Sequence, residues 1–362
     1  MPARSRFALA SDIPQPRRAV EKMRPYSPPS SGRAGKLRLD FNENTVGCSA
    51  KVLDYLREHL DRNMFSVYPE YEETRAALAG FFHVAEPQIV LTNGTDEAIQ
   101  VLVNTYVDDG DRVLLTHPSY AMYRFYSEVA GAEVEEISYE PESLAFPLER
   151  FLERARDARA ILIANPNNPT GTCIDLAAVR RIIEANPRAA VLIDEAYYEF
   201  SGITALGLIA EYPNLFVSRT FSKVYGMAAM RIGVILTQAA NAAHMRKAQS
   251  PYSVNTLAAI AARAAVADTE YVAQYVAEAL QARRMIYEGL DRLGIAHYPS
   301  QANFVLFRAG SRAVEVRDRL REMGVLVRDR SYEIDGCVRV TTGTREHAQR
   351  FLDALGKVWR NA

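Results

Sequence analysis

The sequence predicts an α/β fold in which a mostly parallel central sheet is covered by helices and is followed by a smaller α+β domain. Short, uniformly apolar runs alternate with helical stretches up to about residue 250, and each run ends at a turn residue. Such runs are typical of parallel strands that are buried on both faces of a sheet. After about residue 250 the pattern changes to a long helix followed by shorter elements.

Six apolar runs predict the strands of the central sheet. They are residues 88–92, 112–115, 160–164, 190–193, 215–218 and 232–235. The later part predicts a helix over about 255–290, strands near 303–306, 325–327 and 338–340, a helix near 312–323, and a last helix from about 345.

Three regions follow from this pattern. Residues 1–36 are rich in Pro and Arg, and proline removes a backbone donor, so this stretch predicts an arm without regular structure. We expect an N-terminal arm of residues 1–44 that packs partly with the small domain, a large domain of 45–250 and a small domain of 251–362.

Composition narrows the class of protein. The 362 residues are 48% apolar, which permits a large core and excludes a disordered chain. Lys and Arg total 43 against 44 Asp and Glu, so the charge gives no sign of a nucleic-acid partner. No stretch predicts an export signal or a membrane span. Cys48, Cys173 and Cys337 match neither a disulfide framework nor metal-ligand spacing, so we expect a cytoplasmic protein without a bound metal.

The residues that could carry chemistry follow the ends of the predicted strands. Lys223 follows one strand, Asp194 directly follows another, and residues 165–171 after a third read N-P-N-N-P-T-G. Ligands of parallel sheets bind beyond the carboxyl ends of the strands, so we expect these groups to share a site. A lone lysine after a strand is usually a solvated surface charge, but the neighbouring carboxylate and amides favour a functional role.

A further strand meets a helix at residues 93–98, which read N-G-T-D-E-A. The backbone N–H groups and the dipole of a helix N-terminus suit a phosphate. The alternative is that Thr95 and Asp96 only cap the helix. Together with Arg231, eight positions after Lys223, the chain supplies the amine, acid, phosphate site and arginine that pyridoxal phosphate chemistry needs.

The strings N-P-N-N-P-T-G, D-E-A-Y and S-K-x(7)-R occur in this order, beginning at Asn165, Asp194 and Ser222. In these strings the chain resembles the fold-type I, pyridoxal-phosphate-dependent aminotransferases of class I/II, and most of all the histidinol-phosphate aminotransferase family. The resemblance covers about Met23 to the C-terminus. It implies amino transfer between histidinol phosphate and 2-oxoglutarate in histidine biosynthesis, by a two-step ping-pong route.

The resemblance also implies roles for individual residues around the cofactor. Lys223 joins the cofactor aldehyde covalently, and Asp194 faces the pyridine nitrogen. Tyr197 and Asn168 donate hydrogen bonds to the phenolic oxygen of the ring. Tyr120 stacks on the ring, with a plain core aromatic as its alternative. The residues implied for the cofactor phosphate are Gly94, Thr95, Asp96, Thr220, Ser222 and Arg231.

A substrate pocket and a homodimer with shared active sites are implied in the same way. Tyr68 matches a tyrosine that reaches the cofactor phosphate of the other subunit. Arg339 matches the arginine that binds the substrate carboxylate, with Asn168 beside it. Arg328 matches an arginine that contacts the phosphate of histidinol phosphate, and Tyr26 matches an arm tyrosine at the same pocket. The alternative for Arg328 is a surface ion pair.

Other functions remain open on the same residues. Relatives with this scaffold act on aromatic amino acids, and one branch decarboxylates phosphothreonine, so an aromatic-amino-acid transaminase and a decarboxylase of a phosphorylated amino acid are alternatives. A non-catalytic ligand-binding or regulatory protein is disfavoured by the complete set of Lys223, Asp194, Tyr197 and Arg339. A dehydrogenase that uses NAD is disfavoured because no G-x-G-x-x-G follows the first strands.

Overall fold

The computed structural model describes residues 14–23, 25 and 31–360. The α-helices of these residues are α1 (Arg18–Glu21), α2 (Ala50–His59), α3 (Glu72–Phe82), α4 (Gly94–Tyr106), α5 (Ala121–Ala130), α6 (Leu148–Ala155), α7 (Leu176–Ala185), α8 (Tyr198–Ser201), α9 (Ala239–Ala248), α10 (Thr256–Ala267), α11 (Thr269–Arg292), α12 (Ala313–Glu322) and α13 (Arg345–Arg360). The strands are β1 (Leu37–Arg38), β2 (Ile89–Thr92), β3 (Arg112–His117), β4 (Glu133–Ser138), β5 (Ala160–Ala164), β6 (Ala190–Asp194), β7 (Leu215–Thr220), β8 (Gly233–Leu236), β9 (His297–Tyr298), β10 (Phe304–Arg308), β11 (Val325–Leu326), β12 (Arg328–Asp329) and β13 (Cys337–Thr341).

The central sheet has seven strands in the order β2-β8-β7-β6-β5-β3-β4. Strands β3 to β7 are parallel to one another, and β8 runs antiparallel between β7 and β2. All six predicted strands are present within one or two residues of their predicted ends. The predicted fold class, an α/β protein with a mostly parallel sheet, is therefore confirmed.

The two faces of this sheet are buried in separate cores, as uniformly apolar strands require. Successive side chains of a strand point to opposite faces. In β5, Ile161 and Ile163 join one core, whereas Leu162 joins the other. The strand that the sequence prediction missed, β4, lies at the sheet edge, where its acidic side chains pair with arginines.

A second, four-stranded antiparallel sheet has the order β12-β13-β10-β9. It packs with α11, α12 and α13 around a core of its own. The N-terminal strand β1 pairs in parallel with β11, and Leu37 and Leu39 contribute to that core. Before β1, α1 packs against α5 beside the large sheet, so the N-terminal segment contacts both parts of the fold.

The single helix expected over residues 255–290 is wrong, because α10 and α11 are separated at Asp268. The Asp268 carboxylate accepts hydrogen bonds from Ser49 Oγ and from Lys51 Nζ, the latter at 2.8 Å. This contact with residues more than 200 positions away holds the break in place. Within the described part of the chain, none of the helices combines the length and the hydropathy of a membrane span.

Candidate active site

A cavity of about 430 Å³ lies at the carboxyl ends of β5, β6 and β7, whose last residues Ala164, Asp194 and Thr220 line it. This is the edge of the sheet at which the sequence predicted a site. The predicted site residues that line it are Thr95, Asp96, Tyr120, Asn168, Asp194, Tyr197, Thr220, Ser222, Lys223, Arg231, Arg328 and Arg339.

Two other predicted residues, Gly94 and Tyr68, do not line the cavity. Gly94 lies directly against it, next to the guanidinium of Arg231. Tyr68 is 74% exposed, and its ring stacks on that of Tyr252 with the centroids 4.4 Å apart. Tyr26 lies outside the described residues. A single chain therefore brings together most of the predicted site, but not Tyr68.

The acid of the site is Asp194, at the end of β6, where it is only 3% exposed. Its two carboxylate oxygens accept hydrogen bonds from Tyr123 Oη at 2.7 Å and from Ser218 Oγ at 2.8 Å. Burial raises the pKa of Asp194, and these two donors oppose that rise because they stabilise the ionised form. The sequence reasoning missed both donors. Their signals were a tyrosine one helical turn after Tyr120 and a hydroxyl within an apolar strand.

The amine of the site is Lys223, three residues after β7. Its Nζ donates to the backbone carbonyl of Phe41 at 3.1 Å and lies 5.8 Å from the centre of the Tyr197 ring. The hydroxyl of Tyr197 accepts from Asn42 Nδ2 at 2.9 Å. Asn42 has a φ of +55°, a left-handed backbone conformation that is strained for residues other than glycine. The N-terminal segment thus reaches both the lysine and the tyrosine.

The predicted phosphate site is built around the first turn of α4. The carboxylate of Asp96 accepts from Tyr120 Oη at 2.6 Å and from Arg231 Nη2 at 3.1 Å, so its side chain faces the cavity and does not cap the helix. Gly94 has a φ of +72°, and a Cβ there would lie 2.5 Å from Arg231 Nη2. Glycine is therefore required for the guanidinium to lie this close to the helix N-terminus.

The residues fit the cofactor that the sequence predicts, pyridoxal phosphate. One cavity contains the Lys223 amine, the buried Asp194 carboxylate and the N-terminus of a thirteen-residue helix with Arg231 beside it. Gly233 on β8 allows the first turn of α4 to approach the sheet closely, because a Cβ on Gly233 would lie 3.1 Å from the backbone nitrogen of Thr95. These are the groups that an aldehyde, a pyridine nitrogen and a phosphate would each need.

The other end of the cavity is cationic. Arg339 on β13 lies directly opposite Arg328 on β12 in the antiparallel register. Arg339 is 4% exposed and donates to Asn168 Oδ1 and, at 2.7 Å, to the backbone carbonyl of Asp40. Burial, together with the nearby positive charges of Arg330 and Arg328, lowers the pKa of Arg339 to about 10. Like charges placed opposite each other destabilise a sheet, so this arrangement favours an anionic ligand.

A third arginine at this end was missed by the sequence reasoning. Arg330 lines the cavity, is 9% exposed, and donates to Tyr332 Oη at 2.9 Å. It also forms an ion pair with Glu333, which lines the cavity too. Burial raises the pKa of Glu333, while the Arg330 charge opposes that rise. The signal in the sequence was its position two residues after Arg328, which in an extended chain gives the same side of the strand.

Buried charges also lie beside the D-E-A-Y turn. The Glu195 carboxylate pairs with Arg219 at 2.8 Å and accepts from Thr204 Oγ1 at 2.8 Å. The next acid, Glu199 on α8, is partly buried, and no side-chain partner for its carboxylate is found among the described residues. Burial raises the pKa of Glu199 to about 7, and the Arg219 charge opposes part of that rise. Glu195 is therefore a paired buried acid and Glu199 an unpaired one.

Known proteins resemble this chain over nearly its whole length. Residues 34–355 match the sequence model of aminotransferase class I and II. A histidinol-phosphate aminotransferase of Symbiobacterium thermophilum is 36% identical, over 94% of this chain and 97% of that protein. One of Thermococcus gammatolerans is 34% identical, over 89% of this chain and 92% of that protein. The solved histidinol-phosphate aminotransferase of Sinorhizobium meliloti, in complex with pyridoxal-5'-phosphate, superposes with a TM-score of 0.88 at 25% identity, over 99% and 100% of the two chains.

Proposed function

Because this chain belongs to the family of class I and II aminotransferases, we propose that it transfers the amino group of histidinol phosphate to 2-oxoglutarate. The observation that carries the substrate assignment is the cationic end of the cavity, where Arg328 and Arg339 lie in register. The relatives more than 30% identical to this chain that are histidinol-phosphate aminotransferases support the same substrate assignment. The enzyme is a transaminase whose cofactor is pyridoxal phosphate, as the sequence predicts.

Pyridoxal phosphate, when bound, supplies an electrophilic carbon and a ring that withdraws electrons from the substrate carbon. Lys223 Nζ takes the proton from the substrate carbon that carries the amino group and later returns a proton. Asp194 provides a fixed negative charge for the ring nitrogen, and Tyr123 and Ser218 keep that carboxylate ionised and oriented. Arg231 and the first turn of α4 hold the phosphate.

The two halves of the reaction make the same electrostatic demand. Histidinol phosphate carries a phosphate monoester of nearly two negative charges at neutral pH, and 2-oxoglutarate carries two carboxylates. A ping-pong enzyme admits both to one cavity in turn. Arg339 offers a planar fork of donors within the cavity, and its Nε has no partner among the described residues. One set of arginines therefore serves both substrates.

We propose further that the enzyme is a homodimer in which Tyr68 contributes to the cofactor phosphate site of the partner subunit. The exposed position of Tyr68, away from its own cavity, supports this. We also propose that the two sheets mark a large domain of residues 45–250 and a small domain of 251–362 with the arm of 1–44 beside it. A cytoplasmic location is supported by three cysteines that are all free.

A panel of amino donors with 2-oxoglutarate as acceptor tests the proposed reaction. We expect histidinol phosphate to have the highest kcat/KM and phenylalanine a much lower one, with glutamate formed in step with donor consumed. A Lys223→Ala variant is the control for background turnover. A higher kcat/KM for phenylalanine would identify an aromatic transaminase, and release of CO2 from a phosphorylated amino acid without glutamate formation would identify a decarboxylase.

A further inference from the structure

Three arginines project from one part of the small sheet into the cavity, and only two of them have a role so far. Arg328 lies opposite Arg339 in the register of β12 and β13. Arg330 follows Arg328 by two positions, and all three line the cavity. We propose that Arg330 is a specificity-determining residue that directly contacts the phosphate of the substrate, which deepens and rests on the proposed function.

The hydrogen-bonding capacity of Arg330 supports this contact. The residue is more than nine-tenths buried, and its Nε has no hydrogen-bond partner among the described residues. A guanidinium carries five N–H donors, and buried polar groups in folded proteins are almost always paired. Tyr332 and Glu333 are partners of two guanidinium nitrogens, which leaves donors of a side chain that lines the cavity free for a phosphate oxygen there. Tyr332 Oη, at 2.9 Å from Arg330 Nη1, fixes the orientation of the guanidinium.

The charge of this end of the cavity supports the same ligand. Glu333 neutralises one of the three arginines, which leaves two positive charges. The other acid near this end, Glu43, is already paired with Arg33 at 2.7 Å. A phosphate monoester carries about 1.5 to 2 negative charges at pH 7 and therefore matches the excess. A substrate with a single carboxylate would leave part of this excess positive charge uncompensated.

The simpler explanation is that Arg330 serves only as the structural partner of Glu333. Two variants separate the explanations. Arg330→Gln removes the cation and leaves Glu333 unpaired, which also threatens folding. Arg330→Gln combined with Glu333→Gln removes both charges, so the net charge of the cavity is unchanged and neither member of the pair is left as an unpaired buried charge. Arg317→Gln is the matched control. Arg317, on α12, forms an ion pair with Asp329, the residue just before Arg330, but it does not line the cavity.

The measurement is the ratio of kcat/KM for histidinol phosphate to kcat/KM for L-histidinol, which lacks only the phosphate. We expect this ratio to fall about 10- to 100-fold in the double variant, mainly through KM of the phosphorylated donor, and to stay within about twofold of wild type in Arg317→Gln. Titration calorimetry of inorganic phosphate into the holoenzyme, whose cofactor phosphate site is filled, should show an equally large loss of affinity.

A double variant with the wild-type ratio and the wild-type phosphate affinity would overturn the inference, as would wild-type holoenzyme that binds no phosphate. Failure of the proposed function has a different signature. In that case wild type shows no preference for the phosphorylated donor, whereas phosphate binding and its dependence on Arg330 are still measured by calorimetry.

Discussion

Replacement of Glu199 by glutamine tests the electrostatic description of the buried charges beside the site. Glu199 lies two residues after the D-E-A-Y turn, and its side chain is partly buried without a side-chain partner for the carboxylate among the described residues. Glutamine keeps the shape of the side chain and removes its charge. We therefore expect Glu199→Gln to stabilise the protein at alkaline pH and to have a much smaller effect at acid pH.

The size of the effect follows from the pKa of Glu199, which rises from 4.5 to about 7 in the folded protein. Below pH 4.5 both states bind the proton, so the acid costs nothing. As the pH rises from 4.5 to 7 the unfolded state releases the proton first, and the free energy of unfolding decreases. Above pH 7 the cost reaches at most about 3.4 kcal/mol, at 1.36 kcal/mol for each pKa unit. Because the side chain is partly exposed, we expect about 2 kcal/mol between pH 5 and pH 8.

Thermal unfolding of the holoenzyme at pH 5 and pH 8 measures this difference. About 2 kcal/mol corresponds to an increase in the Tm of Glu199→Gln over wild type that is about 2–4 °C larger at pH 8 than at pH 5. Glu195→Gln is the control, because it breaks the buried pair with Arg219 and should destabilise the protein by about 3–5 kcal/mol at both pH values. An equal Tm change for Glu199→Gln at the two pH values would refute the reasoning.

Three further predictions concern the site. Arg328→Gln should lower kcat/KM for histidinol phosphate about 10- to 100-fold and that for phenylalanine by far less, in steady-state kinetics; equal losses would contradict its role. Gly94→Ala should displace Arg231, since its Cβ would lie 2.5 Å from Arg231 Nη2, and should speed cofactor loss on gel filtration; unchanged retention of the cofactor would count against the phosphate site. Mixing inactive Tyr68→Ala and Lys223→Ala proteins should restore about a quarter of wild-type activity if sites are shared between subunits, and no recovery would reject the sharing.

The central sheet was predictable because its strands carry a strong local signal. Parallel strands buried on both faces must be apolar throughout, and five-residue runs such as 160–164 meet that requirement. Strand β4 lacked the signal because it lies at the sheet edge and presents glutamates to arginines. The break between α10 and α11 was not predictable, because Asp268 is held by Ser49 and Lys51 from a distant part of the chain.

The placement of Lys223 and Asp194 at one cavity was predictable, because both come at or just after the carboxyl ends of predicted strands. The residues that support them were not. Tyr123 on α5 and Ser218 on the neighbouring strand β7 donate to Asp194, and neither belongs to a motif. Arg330 was missed because its position on one face with Arg328 depends on the extended backbone after β12, which is only two residues long. The roles of these three residues depend on contacts between elements, which residue identity alone does not reveal.

The carbonyls of Asp40 and Phe41 belong to successive peptide units, and they accept hydrogen bonds from Arg339 and Lys223 respectively. The side chain proposed to recognise the substrate and the one proposed to hold the cofactor thus donate to adjacent residues of the backbone. The Cα atoms of adjacent residues are about 3.8 Å apart. The contributions of the two side chains to ligand affinity should therefore not be independent. Attachment of the cofactor would use the Lys223 amine that now donates to Phe41, and it would therefore be thermodynamically linked to substrate affinity, with each event changing the free energy of the other by the same amount.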